Sequence, residues 1–165
     1  MQGYLLDTNI VAYWFYANRP EHRSVNQHIQ GLPAGTPLVI SVITLGEIEF
    51  GFRAAPAVNI LSQEAYLEFI ERELPMVLEI RKTTRESYGQ LRVRVFEKYA
   101  PKNNKNKIRP EQLVDPITGE KLGIDENDLW IAAQALEHNL ILVTADKMAR
   151  IRDVCKDLRV ENWAT

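Results

Sequence analysis

The sequence predicts an α/β fold, a central parallel sheet flanked by helices on both faces, and three observations carry that prediction. Short apolar runs bounded by turn residues alternate with longer stretches of helical period, the pattern of strands joined by helical crossovers. Acidic residues follow the runs at Gly3–Leu6 and Leu140–Thr144, at the edge where such sheets bind their ligands. The 165 residues are enough for one domain with a full core, spanning 1–165, and too few for two comfortable ones.

In chain order, Gly3–Leu6 reads as a strand ending at Asp7, and Thr8–Tyr16 as a largely buried helix. Pro20–Gln30 reads as a second short helix, with Val25 and Ile29 on one face and Gly31 as its C-terminal stop. After the turn residues Pro33, Gly35 and Pro37, Leu38–Ser41 suits a buried strand and Ile43–Phe52 a helix, repeating the first unit. Ser62–Leu74 is helical and closed by Pro75, and Met76–Ile80 is strand-like. Thr83 opens a helix to about Tyr99 through a capping box, because Glu86 falls three residues on. Pro101–Gly123, rich in Asn, Lys and Pro, reads as an inserted basic loop. Asp125 then caps a helix through His138 that Asn139 ends. Leu140–Thr144 follows as a strand, Lys147–Val154 as a short helix and Leu158–Val160 as an edge strand.

The longest unbroken apolar stretch, Ile10–Ala17, is far short of the ~20 residues of a membrane-spanning helix. The N-terminus lacks the basic region of a signal peptide, so a cytoplasmic location is expected. Cys155 is the only cysteine, and His22, His28 and His138 match no zinc spacing, which argues against disulfide, thiol and zinc chemistry. The net charge of −2 hides a strong asymmetry. Between Arg81 and Arg109 ten bases (Arg81, Lys82, Arg85, Arg92, Arg94, Lys98, Lys102, Lys105, Lys107 and Arg109) face two acids, a balance of +8 that leaves −10 elsewhere.

Asp7 and Asp146 follow strands, Glu47 lies in the second turn of its helix and Asp128 in the first turn of another. Carboxylates gathered at one point repel one another unless a cation neutralises them. A hard divalent ion suits an oxygen-only donor set, and such an ion can activate water against a phosphodiester. Each acid also has a plain structural use. Asp7, Asp128 and Asp146 suit helix capping or the helix dipole, and Glu47 suits a solvated helix face.

Four segments occur in order: Leu5-Leu6-Asp7-Thr8-Asn9, Ile43-Thr44-Leu45-Gly46-Glu47-Ile48, Asn127-Asp128-Leu129-Trp130-Ile131-Ala132-Ala133 and Leu142-Val143-Thr144-Ala145-Asp146. Together they resemble the PIN-domain family, and most of all its VapC-type members, the ribonuclease toxins of type II toxin–antitoxin pairs. The resemblance runs from Asp7 to Asp146. It implies a metal-dependent endoribonuclease using Mg²⁺ or Mn²⁺, with Asp7, Glu47 and Asp128 as the core metal-binding and catalytic acids and Asp146 as the fourth. Thr8, Asn9 and Thr144 would support them. It further implies an RNA substrate, a homodimer and a cognate antitoxin. The insertion Pro101–Gly123 departs from the pattern of small members.

The basic stretch fits RNA binding through phosphate contacts, and equally a solvated helix face and loop. Tyr88, Phe96 and Tyr99 suit base stacking, although their helical spacing favours a core role, as it does for Trp14, Phe15 and Trp130. A receiver-type signalling module also places acids at strand ends, but Asp7 stands without an adjacent acid and the third strand ends in Glu79-Ile80. A PIN-like scaffold that binds RNA or protein without cutting is the alternative the insertion motivates.

Overall fold

A computed structural model describes residues 2–55, 59–102, 108–145 and 148–165. Asp146, Lys105 and Lys107, singled out above, lie outside these residues. The architecture is α/β, with a five-stranded sheet and, among the described residues, seven α-helices.

β1 (Tyr4–Leu6) pairs in parallel with β2 (Leu38–Ser41) on one side and β4 (Ile141–Val143) on the other, so that Leu6 stands opposite both Ile40 and Val143. β3 (Val77–Leu78) pairs in parallel with β2, and β5 (Val160–Glu161) completes the order β3-β2-β1-β4-β5. Leu5, Leu6, Val39, Ile40, Leu142 and Val143 are all buried. A strand covered on both faces needs apolar residues at every position, which is why these runs do not alternate. The third strand is shorter than Met76–Ile80, because its pairing with β2 covers only Val77 and Leu78.

The helices are α1 (Thr8–Phe15), α2 (His22–Gln30), α3 (Val42–Ala54), α4 (Ile60–Glu73), α5 (Thr84–Tyr99), α6 (Glu126–Glu137) and α7 (Ala149–Val154). Each lies within a few residues of its predicted span. Among the described residues no helix is long and apolar enough to cross a membrane.

Residue contacts divide the chain into two compact units. The first comprises 1–79, 141–145 and 161–165, and its core gathers Leu6, Ile10, Val25, Ile48, Ile70 and Trp163. Trp14 and Phe15, expected in the core, pack at its margin, Trp14 edge-on to Phe69 at 4.9 Å and Phe15 against Tyr66 at 4.9 Å. An apolar groove of about 640 Å³ runs between α3 and α4, lined by Val42, Leu45, Leu67 and Val77 with Glu49 and Glu71 among its polar groups.

The second unit comprises 80–140 and 146–160, and in it α5 packs on α6 and α7. Phe96 and Tyr99 are buried there as expected, while Tyr88 stays partly exposed. Two local expectations are corrected, at Thr83 and in the segment after α5. Thr83 does not cap α5, because its hydroxyl and that of Thr84 both donate to the Glu137 carboxylate at the end of α6. Gly31 ends α2 as expected, at an ordinary helical φ of −78°, and Asn139, at φ 54°, follows α6 in the left-handed conformation. The segment expected as a loop carries, in its described part, a 3₁₀ turn at Pro110–Gln112 and an antiparallel bridge from Val114 to Lys121. Leu113 and Leu122 are buried, and burying them offsets the entropy of ordering that segment.

Candidate active site

The register of the sheet decides what stands beside Asp7. Because Leu6 pairs with Val143, the next residues along the two strands, Asp7 and Thr144, come side by side at the carboxyl edge. The Asp7 amide donates to the Val143 carbonyl at 3.0 Å, and the Thr144 hydroxyl donates to Asp7 Oδ2 at 2.8 Å. Asp7 Oδ1 accepts from the Thr8 amide at 2.8 Å, so this carboxylate also caps α1. The group is 4% exposed and Thr144 is 1% exposed.

Glu47 arrives from the neighbouring strand. Ser41 closes β2 and caps α3 by accepting from the Ile43 amide at 3.0 Å, and Glu47 follows in the second turn of that helix. The Thr8 hydroxyl donates to Glu47 Oε2, so the residue after Asp7 ties the two acids' elements together. Asn9 Oδ1 accepts from the Ala145 amide at 3.2 Å and fixes the backbone one residue before Asp146. Thr8 thus bonds to Glu47, Thr144 to Asp7 and Asn9 to the Ala145 amide. Ser41, which sequence reasoning passed over, was visible only as a polar residue closing an apolar run ahead of a helix.

Asp128 belongs to the second unit. It is the third residue of α6 and forms a reciprocal capping box with Asp125: its amide donates to Asp125 Oδ1 at 2.8 Å, and its Oδ2 accepts from the Asp125 amide at 2.9 Å. The capping use of Asp128 is thus real. A carboxylate offers two oxygens and about four lone pairs, so capping does not exhaust its capacity for a cation.

The same first turn is gripped elsewhere. The Glu126 amide donates to Glu111 in the 3₁₀ turn at 3.0 Å, and the Glu126 carboxylate accepts from the Tyr88 hydroxyl and from Arg92 at 3.4 Å. Burial, with the hydrogen bond to Glu126, pushes Tyr88 up to about 12 against the opposing pull of Arg92. Of the basic residues, Arg81, Lys82, Arg85, Arg94, Lys98, Lys102 and Arg109 are exposed, and Arg94 also donates to Cys155 Sγ at 3.7 Å.

Asp7 and Glu47 share the first unit, with hydroxyl and amide groups about them and neither sulfur nor imidazole in the bonds described, a hard-oxygen set that fits Mg²⁺ or Mn²⁺. Among the described residues no group of three or more His, Cys, Asp or Glu side chains is gathered closely enough to hold a metal ion.

A family model described as the PIN domain matches residues 4–156, a span that includes both units. The structure is similar to a chain of the VapBC2 complex from Rickettsia felis, crystallised with a DNA fragment from its promoter, at 23% identity and a TM-score of 0.69 over 97% of this chain and 98% of that one. It is similar to a chain of VapBC-1 from nontypeable Haemophilus influenzae at 23% identity and a TM-score of 0.68, over 98% of each chain. A chain of FitAcB from Neisseria gonorrhoeae, at 21% identity and a TM-score of 0.65 over 97% of each chain, has the same fold. No curated protein matches. The match across both units and the parallel sheet with Asp7 at its carboxyl edge agree, and the chain belongs to the PIN domain family.

Proposed function

We propose that this chain is a metal-dependent endoribonuclease and the toxin of a toxin–antitoxin pair. The observation that carries the reading is the buried Asp7 carboxylate, held by Thr144 at the sheet's carboxyl edge and coupled through Thr8 to Glu47. Asp7, Glu47, Asp128 and Asp146 would hold Mg²⁺ or Mn²⁺, which when bound lowers the pKa of an attacking water and stabilises the leaving oxygen. Thr144 and Thr8 orient the acids from within the first unit. Exposed bases of the second unit bind RNA phosphates. The whole chain acts as one PIN domain.

Purified protein with structured RNA and Mn²⁺ should cleave, and both EDTA and Glu47→Gln should lower the rate at least ~100-fold, as expected for removal of a metal ligand set. Cleavage that survives both changes sinks the proposal. The non-catalytic scaffold is told apart by heat: a native-state metal site raises the unfolding temperature as Mn²⁺ is titrated, and no change at millimolar Mn²⁺ favours the scaffold.

A cytoplasmic antitoxin partner and a homodimer belong to the same reading. Two further similar chains, of VapBC-5 from Mycobacterium tuberculosis and of a complex from Klebsiella pneumoniae, come from structures described as toxin–antitoxin systems. The apolar groove between α3 and α4, with Glu49 and Glu71, suits an amphipathic antitoxin helix with basic flanks. A small reading frame directly upstream encoding a DNA-binding pattern supports the partner, and light scattering reads the dimer.

A further inference from the structure

The ring of Tyr88 on α5 lies parallel to that of Trp130 on α6, with centroids 3.8 Å apart and planes 8° from parallel. Both residues are partly exposed, unlike Phe96 and Tyr99 further along α5. The Arg92 guanidinium stands 5.8 Å from the Tyr88 ring centroid and 5.4 Å from that of Phe96. Its Nη1 donates to the Tyr88 hydroxyl at 2.6 Å and to Glu126 at 3.4 Å, while Nε and Nη2 have no partner among the described residues. The Arg92 side chain is 40% exposed. Arg85, exposed, is three residues before Tyr88, and Arg92 four after, so the three share one face of α5.

We infer that this cluster is a nucleobase-stacking subsite for single-stranded RNA: an unpaired base lies on the Tyr88–Trp130 pair while Arg92 Nη2 and Arg85 donate to the adjoining phosphates. The inference deepens the ribonuclease reading and rests on it. Unpaired RNA bases bind proteins by stacking on aromatic rings and guanidinium planes, which a paired helix does not offer. Glu126 holds the Arg92 and Tyr88 side chains in place, so the platform is built before RNA arrives and little entropy is lost on binding. Trp130 follows Asp128 by two residues on α6, about 200° around the helix, so the platform and the acid stand on different faces of it. The platform selects unpaired segments of the substrate, a preference that the acids alone do not supply.

The test is binding in EDTA, which needs no cleavage. A six-nucleotide single-stranded oligoadenylate labelled at its 5′ end is followed by anisotropy and by tryptophan emission. Binding should quench the emission of the wild-type protein and leave that of Trp130→Phe unchanged, although Trp14 and Trp163 remain. Trp130→Ala and Tyr88→Ala should weaken binding about 5- to 150-fold, the range for losing one stacked base. Trp130→Phe and Tyr88→Phe, which keep the rings, should stay within about threefold, a distinction that loss of folding does not produce. An oligomer with abasic sites should bind the wild type more weakly and lose nothing further with Trp130→Ala. Equal affinity of wild type and Trp130→Ala, unchanged tryptophan emission on binding, or equal affinity for a blunt duplex overturns the subsite. Cleavage with Mn²⁺ under those outcomes leaves the nuclease reading intact, and platform binding without any cleavage removes that reading alone.

Discussion

Asp7 and Asp128 each perform a local structural task with the same carboxylate proposed to hold a metal. At Asp7 one oxygen receives the Thr8 amide and the other the Thr144 hydroxyl. At Asp128 Oδ2 receives the Asp125 amide. These bonds fix the rotamers of groups that would otherwise lose their freedom at the moment of binding, which is how preorganised sites gain affinity. Thr144→Val keeps the shape and deletes the donor to a buried carboxylate, so it should cost about 1–3 kcal/mol of folding stability. Urea unfolding measures this, and a parallel Mn²⁺ titration should show weaker metal binding. An unchanged midpoint would mean that Asp7 does not depend on Thr144.

At the scale of elements, the segment after α5 does more than connect. Asp115 accepts from the Ile117 amide at 2.8 Å and the Thr118 amide at 3.2 Å, closing a turn, and pairs with Arg150 of α7 at 2.5 Å. Arg150 first, and then those amides, hold the Asp115 carboxyl at about 2, below its ordinary 3.8. A carboxyl depressed on folding contributes stability that is fully present above the ordinary value and disappears as pH falls through the folded one. The stability difference between the wild type and Asp115→Asn should therefore be constant above pH 4 and shrink between pH 4 and 2. Thermal unfolding across that range is the measurement, and a difference independent of pH would show that the ion pair has no part in holding the turn. Glu137 belongs to the same class: burial alone would raise its pKa, but the Thr83 and Thr84 hydroxyls outweigh burial and lower it. Those bonds explain the missing capping box, since a hydroxyl given to a carboxylate on another helix is not available to its own backbone.

For the whole molecule, charge is divided by unit. The first holds ten acids and four bases, the second twelve acids and sixteen bases. RNA affinity should accordingly depend on the bases of the second unit and fall with salt. Replacing Arg85 or Lys98 with Ala removes one phosphate-binding cation, and each replacement should reduce the salt slope by roughly 0.7 for a single strand. Anisotropy titrations at several salt concentrations test this, and slopes that do not change would move the RNA surface elsewhere.

Every strand and helix was legible in the sequence to within a few residues, because continuous apolar runs and helical periodicity report burial directly. The place of Asp7 at the end of β1 was legible for the same reason, and that of Glu47 in the second turn of α3 followed from the helix read after β2. The segment 108–123 was misjudged because its two prolines and two glycines mark turns by composition, while Leu113 and Leu122 are too few to advertise a packed turn. The pairing of Tyr88 with Trp130, 42 positions apart, left no local signal at all. What the sequence determined alone is the alternation of elements and the placing of acids after strands, both consequences of short-range pattern. Only the tertiary structure decided which hydroxyl serves which carboxylate, because those bonds depend on strand register and helix packing between residues far apart in the chain.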